Sequence, residues 1–330
     1  MPEWLYEEGI GENRAALVED ERILEAVIER PGPLRTGAIL GGRLTAILVP
    51  GRRGIVTIDG GGEVLVEPLP AGLTEGAATR VEIVREAVAE AGRAKGPKGR
   101  ISAEEPREGP TLIERLEAGA SLVTMLRPGI PDRLEAAGWS ELLEEASTGE
   151  IPFQGGALRM SLTPAMTLFD VDGAIPLAEL AVAGARAAGQ AVRRFGIGGS
   201  IGIDLPTLAA KSDRQAAAAA LDAVLPQPFE RTAVNGFGFL QLVRRRERAS
   251  IPELVQGDPS GAAARALLRQ AERTSGSGTR TMVAAPPVIA RIEANPDWIA
   301  TLERRLGAPL RLQADDALAI SAGHVQSQFH

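Results

Sequence analysis

Short apolar runs, many of them alternating with polar residues and broken by glycine, dominate the first part of the chain. Residues 14–29 (RAALVEDERILEAVIE) read as two short strands around the polar turn Glu19-Asp20-Glu21, a hairpin at the entrance to the fold. Residues 36–68 carry the β-rich runs TAILV, GIVTI and EVLVE, punctuated by Gly51, Gly54 and the triplet Gly60, Gly61, Gly62. Turn signals so closely spaced predict a small barrel of the OB type. Residues 76–93 have helical composition and run into AKGPKGR, where Lys95 and Lys98 lie close together. Residues 106–109 break the pattern, and 111–125 and 133–147 predict further helix and strand pieces up to Gly149.

From Ile151 the pattern changes. Residues 157–161 and 165–172 predict adjacent strands around Thr163-Pro164, and 176–195 an alanine-rich helix with Pro176 in its first turn. The glycines after it, Gly196, Gly198 and Gly199, end the helix and feed the strand SIGID over 200–204. A helix over about 213–224 and a strand over 238–243 follow, the latter running into Arg244, Arg245, Arg246 and Arg248. QGDPSG, 256–261, reads as a linker, and the tail alternates helix and strand through ARALLRQAER, TMVAAP, PDWIATLERRLG and ALAISA. No internal repeat is visible.

Composition narrows the chemistry. The 330 residues, 44% hydrophobic and 24% charged, suffice for a core without disulfide staples. With no cysteine there is no thiol nucleophile and no cysteine-bound zinc or iron–sulfur centre. The two histidines, His324 and His330, fall in the last seven residues, which argues against a Ser-His-Asp triad or an imidazole metal cluster. Lys95, Lys98 and Lys211 are the only lysines, so Schiff-base chemistry has few candidates. Carboxylates remain, alone or holding a hard cation. The net charge of −7 is uneven: residues 1–150 hold 17 Lys+Arg against 27 Asp+Glu, and 151–330 hold 19 against 16. The opening MPEWLYEEG has no basic or apolar leader region, and no apolar stretch reaches the roughly 18 residues of a spanning helix. A cytoplasmic protein without a membrane partner is expected.

The run TLFDVD puts Asp170 and Asp172 two apart, on one face of a strand, with Phe169 and Val171 on the other. SIGID ends in Asp204 after its own apolar run. Acids at the ends of neighbouring strands converge, and such a cluster repels itself unless a cation neutralises it. The alternative is that these are strand-end residues making turn or cap hydrogen bonds.

Three segments, GGALRMSLTPAMTLFDVDG, RRFGIGGSIGIDLPTL and NGFGFLQLVRRR, resemble in order and spacing the catalytic segment of the ribonuclease E/G family. The opening hairpin, KGPKG, RPGI, TGEIPF and the tail TMVAAPPVIARIE…LRLQADDALAIS are similar to other landmarks of that family. The resemblance spans nearly the whole chain and is strongest over 150–246. It implies an α/β (α+β) protein with an OB-type β-barrel, an RNase H-like remnant, a DNase I-like catalytic unit and a small C-terminal α/β domain. The corresponding boundaries are 1–35 for the entry hairpin of the RNase H-like part, 36–105 for the barrel and basic loop, and 106–150 for the rest of the RNase H-like part. The DNase I-like domain then covers 151–250, a linker 251–262 and the small domain 263–330.

By the same resemblance Asp170 and Asp204 match two magnesium-holding aspartates, with Mn²⁺ as a substitute ion. Asp172 stands where the family has a supporting asparagine. Lys98, with Lys95 beside it, matches a basic loop near the scissile phosphate, and Arg244 and Arg246 match RNA-facing arginines. The implied activity is Mg²⁺-dependent hydrolysis of single-stranded RNA. The departures are specific. The region between the barrel and Thr111 is too short for the family's sensor of RNA 5′ ends, so dependence on 5′ phosphorylation is expected absent. QGDPSG replaces the paired-cysteine zinc link, so no zinc is expected and any homodimer is not zinc-bridged. Pro164 stands where an acid is common, Gly236 replaces an arginine, Gln241 replaces an acid, and 36–68 contains no aromatic residue. A catalytically weakened or inactive family member that serves as an RNA-binding or scaffold protein is the rival expectation.

Overall fold

The structure, a computed structural model, describes residues 1–32, 34–88, 95–127, 131–275 and 278–327. The chain opens with β1 (Glu3–Glu8), β2 (Asn13–Glu19) and β3 (Arg22–Glu29). Next come β4 (Ile39–Val49), β5 (Arg53–Ile58), β6 (Glu63–Val66), β7 (Ala78–Arg85) and β8 (Lys98–Ile101). These lead to α1 (Leu112–Glu117), β9 (Leu122–Leu126), α2 (Arg133–Ala136) and α3 (Trp139–Thr148). The central stretch is β10 (Glu150–Phe153), β11 (Gly156–Leu162), β12 (Thr167–Gly173), α4 (Leu177–Arg194), β13 (Gly199–Asp204), α5 (Lys211–Asp222), β14 (Glu230–Arg231) and β15 (Phe239–Arg244). The chain continues through α6 (Ile251–Gly257), α7 (Pro259–Arg273), β16 (Arg280–Ala284), α8 (Pro286–Glu293), α9 (Pro296–Leu306), β17 (Leu310–Ala314) and β18 (His324–Ser327).

Two compact units interleave along this order. One comprises Met1–Pro31, Ala120–Ser147 and Leu254–His330, the other Gly32–Gly119 and Thr148–Glu253. The first holds a four-stranded sheet, order β3-β2-β1-β9, and a three-stranded sheet, order β17-β16-β18. Its β2–β3 hairpin turns on Asp20 (φ 49°) and Glu21 (φ 58°), both left-handed, the conformation a two-residue turn needs to match strand twist. A core of Leu267, Leu268, Met282, Val288, Ile289, Ile292 and Leu302 joins α7, α8 and α9 to the three-stranded sheet.

In the second unit β4-β5-β6-β8-β7 form a closed five-stranded barrel. Leu44, Val56, Ile58, Val64, Val66, Val81 and Ile83 fill it with aliphatic side chains alone. Segment 76–93 corrects the reading from composition. Its glutamates, alanines and arginines suggest helix, but Val81 and Ile83 alternate into the barrel core, and β-branched residues at period two make β7 a strand. Residues 89–94 lie outside the described residues. The same unit holds a mixed six-stranded sheet, order β10-β11-β12-β13-β15-β14, in which only β12 and β13 are parallel.

Three local readings also change. Pro176 is the N-cap of α4, not a first-turn residue. The 256–261 segment is not a linker. It closes α6 and opens α7, with the Asp258 carboxylate accepting from the Gly261 N–H at 3.1 Å and Pro259 at the first helical position. Aspartate followed by proline is itself a helix-start signal. ALAISA, 317–322, lies in turns, and the tail strands are β17 and β18 on either side of β16. No helix among the described residues is long and apolar enough to cross a membrane.

Candidate functional site

The β12–α4–β13 unit positions the aspartates. Along TLFDVD and GSIGID, Phe169, Val171, Ile201 and Ile203 are buried, while Asp170, Asp172 and Asp204 are exposed on the opposite face. α4 covers the buried face, and Gly184 allows close approach: a Cβ there would stand 2.4 Å from Val171 Cγ1. In the parallel register Asp170 lies directly opposite Asp204. Strands pair about 4.8 Å apart, so two like charges occupy adjacent positions at the carboxyl end of a βαβ unit, where α/β sheets characteristically bind ligands. Among the described residues neither Asp170 nor Asp204 makes a salt bridge.

Asp172 is placed differently. It lies two residues further along β12 and faces Arg159 of β11, whose guanidinium is 3.5 Å from Asp172 and 3.6 Å from Glu150. Sequence reasoning missed Arg159, although the alternation in ALRMSL sets its side chain on the acidic face opposite Asp170. Beside the acids, Gly202 leaves room for its neighbours' side chains: a Cβ would stand 2.6 Å from the Phe239 ring and 2.8 Å from Leu168.

The basic residues gather elsewhere. Arg244 pairs in register with Gly199, at the amino end of β13, and donates to the Ile197 carbonyl at 3.3 Å. Five residue steps separate that position from Asp204, roughly 17 Å along the strand. Arg246 forms an ion pair with Glu253. The Lys95 ammonium donates to the Pro164 carbonyl at 3.3 Å, in the turn that enters β12, again at the end away from Asp170. Lys98 belongs to β8, and its ammonium is 2.8 Å from Glu67. Hydrogen bonds from Lys98 and Arg53 hold the Glu67 carboxyl down at about 2. The structure thus brings Asp170 and Asp204 together and sets Lys95, Arg244 and Arg246 apart from them.

A tight turn borders the acids. Asn235 Oδ1 accepts from the N–H groups of Phe237 (2.9 Å) and Phe239 (3.0 Å), and Leu205, next to Asp204, donates its N–H to the Gly238 carbonyl at 3.2 Å. Gly238 (φ +94°) is required there, since a Cβ would meet the Leu205 carbonyl oxygen at 2.2 Å.

Among the described residues no group of three or more histidine, aspartate or glutamate side chains is placed to hold a metal ion. The two-aspartate donor set fits a hard cation that keeps most of its water, as Mg²⁺ does on one or two carboxylates, and does not make a closed protein cage. Asp170 and Asp204 are the residues that would hold it. No protein-family model matches the chain, and no curated protein matches it.

Proposed function

We propose that the protein is a Mg²⁺-dependent endoribonuclease of the ribonuclease E/G type that hydrolyses single-stranded RNA. The observation that carries this reading is the exposed pairing of Asp170 with Asp204 at the carboxyl end of two parallel strands. The ordered motifs over 150–246 support it, as does a composition that leaves carboxylates as the available catalytic groups. In this reading the barrel is of the OB type, the six-stranded sheet is the DNase I-like unit, and the sheet of the opening hairpin is the RNase H-like remnant. The compartment is the cytoplasm.

When bound, a Mg²⁺ ion, or Mn²⁺ in its place, would supply positive charge for the phosphate and lower the pKa of a water on it. Asp170 and Asp204 would hold it. In the hydrolysis a water oxygen would bond to phosphorus and lose its proton to solvent, the bond from phosphorus to O3′ would break, and the departing 3′ oxygen would take a proton from solvent. The products carry a 5′ phosphate and a 3′ hydroxyl. Arg159 neutralises Asp172 and so limits the negative charge the phosphate must approach.

Two observations lower the expected rate or affinity and favour a catalytically weakened or inactive member as the alternative: Lys98 is already ion-paired with Glu67, and Gly236 offers no cationic side chain beside the site. Incubating the pure protein with a single-stranded RNA oligomer, in Mg²⁺ and in EDTA, separates the two. Cleavage to 5′-phosphate products in Mg²⁺, abolished by EDTA, is expected. RNA binding without cleavage in either Mg²⁺ or Mn²⁺ replaces the enzyme with the scaffold.

A further inference from the structure

The chain has few aromatic residues: seven phenylalanines, three tryptophans and one tyrosine, with none between Tyr6 and Trp139. Nearly all those described are put away. Tyr6, Trp139, Phe169 and Phe195 are buried, and Trp4, Phe153, Phe229, Phe239 and Trp298 are half-buried. Among the described residues Phe237 alone is exposed, at 83%.

A flexible loop could fold such a ring down onto the surface, where apolar contact is favourable. This turn is held instead. The Asn235 side chain binds two of its N–H groups, Gly238 N–H donates to the Asn235 carbonyl at 3.2 Å, and the Thr207 hydroxyl donates to the Phe237 carbonyl at 3.3 Å. The Leu205–Gly238 bond ties the turn to the residue after Asp204. A rigid mount therefore displays one aromatic face to solvent next to a carboxylate pair suited to a phosphate-bound cation. A ligand that offers a flat, weakly polar surface a short reach from a phosphate matches both features, and a nucleotide of a single strand has that build. The aliphatic barrel supplies no ring for stacking.

We propose that Phe237 is a stacking platform for one base of the RNA strand that enters the Asp170–Asp204 site, an inference that rests on the function proposed above. It acts on binding and register, through contact with a base, and takes no part in the bond changes.

The test is anisotropy in EDTA, where binding is read apart from cleavage. Wild type, Phe237→Ala and Phe237→Trp are titrated with a single-stranded RNA oligomer and with an abasic ribose-phosphate oligomer of equal length. Phe237→Ala is expected to weaken the base-bearing oligomer about 5- to 150-fold, the ~1–3 kcal/mol of one stacked base. Phe237→Trp should match or exceed wild type, and the three proteins should bind the abasic oligomer alike. The ring is exposed, so thermal melting of the variants should stay at the wild-type value and exclude misfolding. Equal RNA affinity of wild type and Phe237→Ala, or an equal loss on both oligomers, overturns the platform. Absence of RNA binding by wild type both in EDTA and in Mg²⁺ overturns the platform and the RNA reading together. Binding with the expected Phe237 effect but no cleavage in Mg²⁺ leaves the platform standing and removes only the enzyme.

Discussion

Charge is used in opposite ways in the two units. In the unit containing the hairpin and the tail, charged side chains are interior: Glu7, Glu12, Arg14, Arg265, Arg269 and Arg280 are all buried. Arg14 lies 3.2 Å from Glu7 and 2.9 Å from Asp132, with its guanidinium 5.0 Å from the centre of the Trp139 ring. Arg273 pairs with Glu7 and, at 2.6 Å, with Asp132, while Arg269 reaches Glu12 at 2.6 Å. Burial alone pushes the Asp132 carboxyl up, but the Arg14 guanidinium, the Glu135 N–H and Arg273 outweigh it and hold it below its usual value. In the other unit no described charged residue is buried, and Asp170 and Asp204 sit side by side in solvent. Opposite charges buried together hold a fold in one arrangement, because removing either strands the other in a poor solvent. Like charges exposed together stabilise nothing, and a cation is what they suit.

The largest expected effect falls on the buried network. Glu7→Gln leaves Arg14 and Arg273 sharing Asp132 alone, and should cost about 3–5 kcal/mol of stability in urea unfolding. Asp170→Asn or Asp204→Asn, read in the same experiment, should cost nothing or stabilise slightly by relieving repulsion. A Glu7→Gln protein as stable as wild type would break the comparison at its base.

Catalysis should show the reverse ranking. Under the proposed function Asp170→Asn or Asp204→Asn lowers Mg²⁺-dependent cleavage by at least ~100-fold, since each removes a charge the cation needs. Asp172→Asn should keep or improve turnover, because Arg159 already neutralises this carboxylate. Single-turnover cleavage against Mg²⁺ concentration measures both. Equal rates for wild type and all three variants would reject the site.

Much of the acidic site was legible because the physics there is local. TLFDVD and SIGID alternate at period two against a buried sheet face, so the side of each aspartate follows from its neighbours. The hairpin and the existence of a barrel were legible for the same reason. β7 was not, because its composition suits a helix and only closure of the barrel makes it a strand. The ionic interior was invisible: Glu12 and Arg269 are partners across 257 residues, and each alone looks like a solvated surface residue. Phe237 lay in plain view between Gly236 and Gly238, in a segment that reads as a turn, and its exposure was the missed signal.

Proton linkage gives Glu272 of the first unit and Glu67 of the second different signs. Burial pushes the Glu272 carboxyl up, and its Oε2 has no hydrogen-bond partner although Arg305 binds Oε1 at 2.6 Å. A raised folded pKa means the contribution of Glu272 is fully present below its ordinary value of 4.5 and is lost as pH rises through the folded value. Glu67 is the opposite case, its contribution present above 4.5 and lost as pH falls toward about 2. Glu272→Gln should therefore remove a decline in stability on the alkaline side of 4.5, and Glu67→Gln a decline on the acid side. Unfolding free energies measured from pH 3 to pH 8 check both, and a Glu272→Gln curve parallel to wild type contradicts the assignment.

The smallest effect concerns a charge pair of the second unit that is neither buried nor free. Lys98 and Glu67 are 33% and 21% exposed, so their attraction is weakened by water and salt. While Glu67 holds it, Lys98 offers little to a phosphate. Glu67→Gln removes the competitor, although Arg52 and Arg53 also lose their carboxylate and add positive charge nearby. Single-stranded RNA should then bind a few-fold more tightly, with the salt slope steeper by about 0.7 for each phosphate newly contacted. Lys98→Ala should change that slope by less than one such step, because the lysine is already neutralised. Affinities of the two variants measured from 50 to 200 mM salt decide the matter. If Lys98→Ala flattens the slope by a full step in the presence of Glu67, the lysine leaves its partner for the RNA, and the pair is a resting contact that binding breaks.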